Sequence, residues 1–232
     1  MKIALVGYGK MGKIIDEIAV QRGHQIVARL NETPTAETLG NPDVVIEFSN
    51  PKAAFDNIKT CLELKLPVVS GTTGWLTQKQ EIEQLALAND TAFLYGSNFS
   101  LGVNLFFELN EKLAQLMKNF GEYSCQLEEI HHTHKKDAPS GTAITIAEGI
   151  IRNTDFEAWK LDETKGKELG IFAIRQDEVP GTHSVFYRSE VDEIEIKHTA
   201  FSRKGFALGA VISAEWILGK KGNFSVRDVL FG

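Results

Sequence analysis

The sequence predicts an α/β protein: a doubly wound parallel sheet, interrupted by an inserted α+β domain with a mixed or antiparallel sheet. Three observations carry that expectation. Short β-branched apolar runs alternate with helical periods over residues 1–100, a glycine turn follows the first run, and beyond residue 100 the alternation gives way to longer two-faced strands.

The run KIALVG reads as a first strand, and Ile14, Ile15, Ile18 and Ala19 then recur at helical spacing until Gly23 stops the helix. HQIVARL, DVVIEFS, PVVSG and TAFLYG read as four further strands, with helices at residues 51–64 and 77–88. Such alternation implies right-handed crossovers and a ligand at the carboxyl ends of the strands. That rule places Gly7 to Gly12, Asn31, Phe48, Gly71 and Gly96 along one edge. Phe106, Leu109, Leu113, Leu116 and Phe120 mark one long amphipathic helix, and Tyr123, Cys125 and Leu127 alternate like a strand.

Ala143, Ile146, Ala147 and Ile150 follow the spacing of a helix face, residues 153–168 read as a polar loop, and GIFAIR, HSVFYRS and EIEIKHTA read as strands. In the last of these, Ile194, Ile196, His198 and Ala200 alternate with Glu195, Lys197 and Thr199, which predicts one packed face and one wet face. The segment GFALGAVISAEWIL is helical and suited to pack back on the first domain. The predicted division is therefore 1–100 with 205–232 for the sheet domain, and 101–204 for the insert.

Composition narrows the function. With 25 basic and 31 acidic side chains the formal charge is −6, which argues against a surface that neutralises nucleic-acid phosphates. Gly7, Gly9 and Gly12 break the first apolar run before it reaches signal-peptide length, and the run from Gly205 to Leu218 contains Glu215 and is too short to span a bilayer. Cys61 and Cys125 lie in apolar segments without metal-ligand spacing, as expected of buried thiols in a reduced, cytoplasmic protein.

Two regions carry chemistry. Gly7-Tyr8-Gly9-Lys10-Met11-Gly12 fits GxGxxG between a strand and a helix, where backbone N–H groups and the helix dipole favour a pyrophosphate, or alternatively where a tight turn needs small residues. Asn31 ends the second strand where a ribose is normally read; with Glu32 beside it and Arg29 nearby, both NADH and NADPH stay open. Gly71-Thr72-Thr73 and Gly96-Ser97-Asn98-Phe99 follow the fourth and fifth strands, where a nicotinamide ribose would lie.

The second region is EEIHHTHKKDAPSGTA, residues 128–143. His131, His132, His134 and Asp137 could ligate a metal, but neighbours on a strand point to opposite faces, and Lys135 and Lys136 would repel a cation; no metal is expected. Ser140, Gly141 and Thr142 open a helix with hydroxyls and free N–H groups suited to a carboxylate. Lys135 adds positive charge, and the histidines can move protons near neutral pH. A dinucleotide domain beside an anion pocket suggests hydride transfer to an acidic substrate. An amino-acid dehydrogenase such as aspartate dehydrogenase, or a non-catalytic nucleotide sensor, would share the nucleotide domain.

HHTHKKDAPSGTA closely resembles the HHxxKxDAPSGTA signature of the dihydrodipicolinate reductase family, and GTTG, SNFSLGVN, SRKGFALGA and RDVL occur in the family's order along the whole chain. The resemblance implies an NAD(P)H-dependent reductase of lysine and diaminopimelate biosynthesis. It implies proton transfer at His131, a proton donor at Lys135, and a cyclic dicarboxylate held by His132, Gly141 and Thr142 at the Ser140 turn. Cofactor contacts would come from Gly7 to Gly12, Gly71 to Thr73 and Gly96 to Phe99, and members are usually homotetramers joined through the inserted sheet. The turn GYGKMG is one residue shorter than the family's common GxxGxMG, and Asn31 stands where many members carry an acid.

Overall fold

The computed structural model describes residues 1–232. The chain divides into two compact units, Met1–Leu101 with Arg203–Gly232, and Gly102–Ser202.

The first unit is built on β1 (Lys2–Val6), β2 (Gln25–Leu30), β3 (Val44–Glu47), β4 (Val68–Ser70), β5 (Ala92–Tyr95) and β11 (Gly222–Ser225). They form one sheet in the order β11-β5-β4-β3-β1-β2, every pairing parallel. Chain order reverses across β1, which has β2 on one side and β3 on the other, so the switch point lies at the ends of β1 and β3. In register, Leu30, Val6, Glu47, Ser70, Tyr95 and Ser225 form one row at that carboxyl edge.

Helices α1 (Lys10–Gln21), α2 (Pro51–Glu63), α3 (Lys79–Ala88), α6 (Lys204–Ile217) and α7 (Val226–Phe231) complete this unit, with a single 3₁₀ turn at Leu76–Gln78. Because side chains alternate along a strand, Ile3 and Leu5 join one core with Ile15, Ala210 and Val211, while Ala4 and Val6 join another with Ile58, Leu62 and Phe93. Burying each such Ile, Leu or Phe stabilises the fold by about 1.5–3 kcal/mol. Asn50 caps α2 through the N–H groups of Lys52 and Ala53, with Pro51 at the first helical position. The strand β11 has no counterpart in the predicted elements: GNFS carries one apolar residue, Phe224, and its strand pairs on one side only, with β5.

In the second unit, α4 (Leu101–Met117), all but its first residue, and α5 (Gly141–Asn153) accompany β6 (Ser124–His131), β7 (Ala158–Leu161), β8 (Glu168–Arg175), β9 (Gly181–Arg188) and β10 (Glu193–Ala200). The sheet order is β10-β9-β6-β8-β7, antiparallel on the β9 side of β6 and parallel on the β8 side. A mixed sheet of this kind is what the sequence predicts for the insert. Its core joins Leu127, Leu169, Ile171 and Val185 to Ala143, Ile146 and Ile150 of α5 and to Phe106 of α4.

Three expectations need correction here. The buried face of α4 is Val103, Phe106, Asn110, Ala114 and Met117. Leu109 and Leu116 are 53% and 68% exposed, and Phe120 lies beyond the helix. The two helices meet closely: a Cβ added to Gly149 would come within 3.2 Å of the Asn110 amide, which donates to the Ile146 carbonyl at 3.0 Å. Asn110 and Ala114 therefore sit on the packed face with Val103, Phe106 and Met117, and of the expected leucines only Leu113 packs, in part, against this core. The predicted loop 153–168 contains β7, whose sequence AWKL mixes exposed and half-buried residues at the sheet edge. Strand β10 is the opposite edge, and its expected packed face is covered only in part, with Ile194 38% exposed.

Candidate functional site

The first unit gathers the predicted nucleotide residues at its carboxyl edge. Gly7 has φ +97, and a Cβ there would lie 2.1 Å from the Phe48 carbonyl oxygen; a Cβ on Gly12 would lie 2.2 Å from the Gly7 oxygen. These two glycines let the turn, the β3 loop and α1 approach one another, and no side chain fits. A Cβ on Gly9, by contrast, would meet nothing within 4 Å, which leaves open space at the N-cap of α1. Gly9, Lys10, Met11, Gly71, Thr72 and Thr73 line a cavity of about 290 Å³, together with Phe48, which the sequence places at the same edge, and Ser49 and Pro51, which it does not single out. A glycine-lined cradle at a helix N-terminus fits a dinucleotide pyrophosphate.

Tyr8 and Asn31 are joined differently from expectation. The Tyr8 N–H donates to the Asn31 side-chain oxygen at 2.8 Å, so Asn31 braces the glycine turn. The Tyr8 hydroxyl donates to Asp16 at 2.6 Å, and Arg29 donates to both Asp16 oxygens at 2.5 and 3.0 Å. Burial pushes the Asp16 carboxyl up, but hydrogen bonds from Arg29 and Tyr8 outweigh it and hold the group below its usual range.

After β5, the Gly96 N–H donates to the Ser70 carbonyl at 3.1 Å, and the Asn98 side chain accepts from the Ser100 N–H at 2.9 Å. Phe99 is buried, its ring 5.5 Å from that of Phe48, so its side chain belongs to the core beneath the edge. Ser97 follows Gly96 at the same edge. The sequence reading missed Glu47. Its buried carboxylate accepts from Ser70 Oγ at 2.7 Å, Thr72 Oγ1 at 2.8 Å and the Ser49 N–H at 3.0 Å, tying the β3 and β4 loops together. A lone acid inside the apolar strand DVVIEFS was the available signal.

The second unit holds the histidine stretch. Alternation along β6 puts Glu129 and His131 on one face, and the antiparallel register sets Glu129 opposite His183 of β9. All three are buried, and one ligand atom from each lies within 4.8 Å of the others. His131 Nδ1 is 3.5 Å and His183 Nε2 3.6 Å from the same Glu129 oxygen, and the two rings meet edge to face at 5.1 Å. The carboxylate also accepts from the Ser140 N–H at 3.1 Å and lies 3.5 Å from the Arg175 guanidinium. With the Ser140 N–H and the Arg175 guanidinium already on this carboxylate, the trio reads as an electrostatic cluster around one acid.

Burial pushes the Glu129 carboxyl up, but the bonds from His183 and Ser140 and the charge of His131 prevail and hold it down at about 2. Burial pushes His131 down; Glu129 opposes, while His183, Lys135 and Arg175 add to the lowering, which takes it to about 4. Ser140 caps α5, its hydroxyl accepting from the Ala143 N–H at 3.1 Å and lying 3.2 Å from His183 Nε2. That hydroxyl is committed to the fold, whereas Gly141 and Thr142 occupy the first turn, whose N–H groups have no intrahelical acceptor. Glu129 and His183 escaped the sequence reading. Glu129 sits in the stretch singled out, but His183 is 43 residues from Ser140 and only the sheet register brings it near.

Lys135 Nζ donates to both oxygens of Asp137 at 2.9 and 2.8 Å, which lowers the Asp137 carboxyl below its usual range. Arg175 donates to the Asp137 carbonyl at 2.6 Å and the Lys135 carbonyl at 3.4 Å, fixing the loop to β8. His132 is half-buried, 6.3 Å ring to ring from His134, which is exposed. The structure thus brings His131, Lys135 and Ser140 into one region with Glu129, His183 and Arg175.

Comparison with known proteins covers both units. A family model described as dihydrodipicolinate reductase, N-terminus, matches residues 1–99, and one described as dihydrodipicolinate reductase, C-terminus, matches residues 102–230. A 4-hydroxy-tetrahydrodipicolinate reductase of Christiangramia forsetii is 52% identical over 99% of this chain and 98% of its own. One from Methanocaldococcus jannaschii is 35% identical over 97% of this chain and 80% of its own. Among solved structures, a dipicolinate-bound dihydrodipicolinate reductase from Paenisporosarcina sp. TG-14 shares the fold, with TM-score 0.77 and 21% identity over 99% of both chains.

Proposed function

The chain belongs to the dihydrodipicolinate reductase family, and on that premise we propose that it converts 4-hydroxy-tetrahydrodipicolinate to tetrahydrodipicolinate, with loss of water, at the expense of NADH or NADPH. The observation that carries this reading is the end-to-end match of both family models to a chain whose signature residue His131 lies in a buried acid/base cluster with Glu129 and His183.

The glycine cradle of Gly7 to Gly12, with Gly71, Thr72 and Thr73, would hold the cofactor's phosphates and ribose, and the Gly96 to Phe99 segment would border its reactive end. When bound, the nicotinamide supplies a hydride to C4 of the ring. This chain's residues then have three tasks. The N–H groups of Gly141 and Thr142 at the α5 start, with His132, bind a substrate carboxylate. Lys135 neutralises that carboxylate's charge and donates the proton taken up by the adjacent ring carbon. His131, neutral at pH 7 by the shift described above, accepts and returns protons as water leaves. Ser140 shapes the turn through its cap, so its contribution to substrate binding runs through the backbone.

The wider setting follows the same reading. Free, buried Cys61 and Cys125 support a cytoplasmic enzyme; no helix is long and apolar enough to cross a membrane. Val191 and Phe201 flank the edge strand β10 and are 87% and 91% exposed, which supports assembly through the inserted sheet into a homotetramer. Purified protein given the product of dihydrodipicolinate synthase should oxidise NADH or NADPH. No oxidation with either cofactor would refute the activity.

A further inference from the structure

We propose that Glu129 is the positioning residue of the pocket: one buried carboxylate that orients the His131 ring, with its proton on Nδ1, and at the same time anchors the start of α5. The inference rests on the reductase reading for the importance of His131, and on geometry for the rest.

Glu129 is the only buried acid of the second unit. Every element packed around it directs a donor or a cation at it. From β6 itself comes His131 Nδ1 at 3.5 Å; from β9, His183 Nε2 at 3.6 Å; from β8, Arg175 Nη2 at 3.5 Å; and from the start of α5, the Ser140 N–H at 3.1 Å. The nearby Lys135 carries its charge toward Asp137.

His131 Nδ1 is buried and has no hydrogen-bond partner; the carboxylate it faces across 3.5 Å is that of Glu129. A buried ring nitrogen facing a carboxylate is favoured as N–H, and a site that tightens around a ligand would close the remaining gap into a hydrogen bond. The opposite nitrogen, Nε2, is then left unprotonated to exchange a proton with substrate. It lies on the side where Gly181 stands: a Cβ there would come within 3.1 Å of Nε2, so a larger residue would crowd the working atom. The same Glu129 oxygens hold the Ser140 N–H, so the acid/base group and the anion-binding N–H groups of Gly141 and Thr142 share one anchor. Pairing through His183 fixes the carboxylate in turn, because Ser140 Oγ lies 3.2 Å from that ring.

The test needs no substrate for its first part. Nitrogen NMR of the histidine-labelled full chain at neutral pH should show His131 as the Nδ1–H tautomer; an Nε2–H tautomer would overturn the proposal. In Glu129→Gln the tautomer preference should be lost and kcat/KM should fall roughly 10²-fold, while cofactor affinity holds. An unchanged kcat/KM with unchanged tautomer would overturn it as well. A merely structural role would lower the melting temperature without moving the tautomer. If Glu129→Gln does not fold, the wild-type tautomer decides alone. Wild-type protein without turnover would strike the reductase reading, and leaves the tautomer measurement standing on its own.

Discussion

Lys135 and Asp137 close on each other two residues apart, the lysine donating to both carboxylate oxygens at 2.9 and 2.8 Å. The proposed proton donor is thus held by an exposed partner. Exposed pairs of this kind are weak, so a dicarboxylate substrate can displace Asp137 at small cost. Asp137→Asn should therefore lower KM for the dicarboxylate, by no more than about fivefold. A raised KM would mean that Asp137 orients Lys135 productively.

Lys135→Arg separates charge from proton donation. Arginine keeps the positive charge but does not give up its proton near neutral pH. Steady-state kinetics should show kcat lowered roughly 10²-fold with KM little changed, and His131→Ala should show a comparable loss of kcat. A Lys135→Arg variant with full kcat would limit the lysine to binding.

We propose that Arg29 bears on cofactor choice. Its guanidinium is taken by Asp16 and lies 5.9 Å from the Tyr8 ring, beside the glycine turn. Asp16→Ala should release it toward a 2′-phosphate and raise the ratio of kcat/KM for NADPH over NADH. A ratio equal to that of the wild type would remove Arg29 from the adenosine end.

The buried pair also sets an acid limit on stability. Glu129 drops from 4.5 to about 2, so its contribution is complete above 4.5 and is lost as pH falls toward 2. His131 drops from 6.5 to about 4; between those values the unfolded chain binds the extra proton, so stability again declines as pH falls. Urea unfolding from pH 7 down to 4 should show a falling free energy, and His131→Gln should flatten the decline between 6.5 and 4. Equal slopes in both proteins would place the titration elsewhere.

Much of this was legible in the residues themselves. Periodicity is a local property, so the strands up to β5 and the helices α1, α2 and α5 could be read directly, and the glycine turn lies where strand and helix meet. The edge strands β7 and β11 were not legible, because a strand paired on one side carries little apolar signal. The α4 face misled for a different reason. Close helix approach at Gly149 puts Asn110, not leucine, on the buried face. In the pocket, His131, Lys135 and the Ser140 cap belong to one continuous stretch. His183 and Arg175 arrive through register on β9 and β8, which no spacing in the sequence states.

The central claim, reduction of a cyclic dicarboxylate by a nicotinamide, is tested most directly by following cofactor oxidation while purified protein consumes 4-hydroxy-tetrahydrodipicolinate. The account predicts one tetrahydrodipicolinate formed per cofactor oxidised, with at least one of NADH and NADPH. Tight cofactor binding without product from either would contradict it.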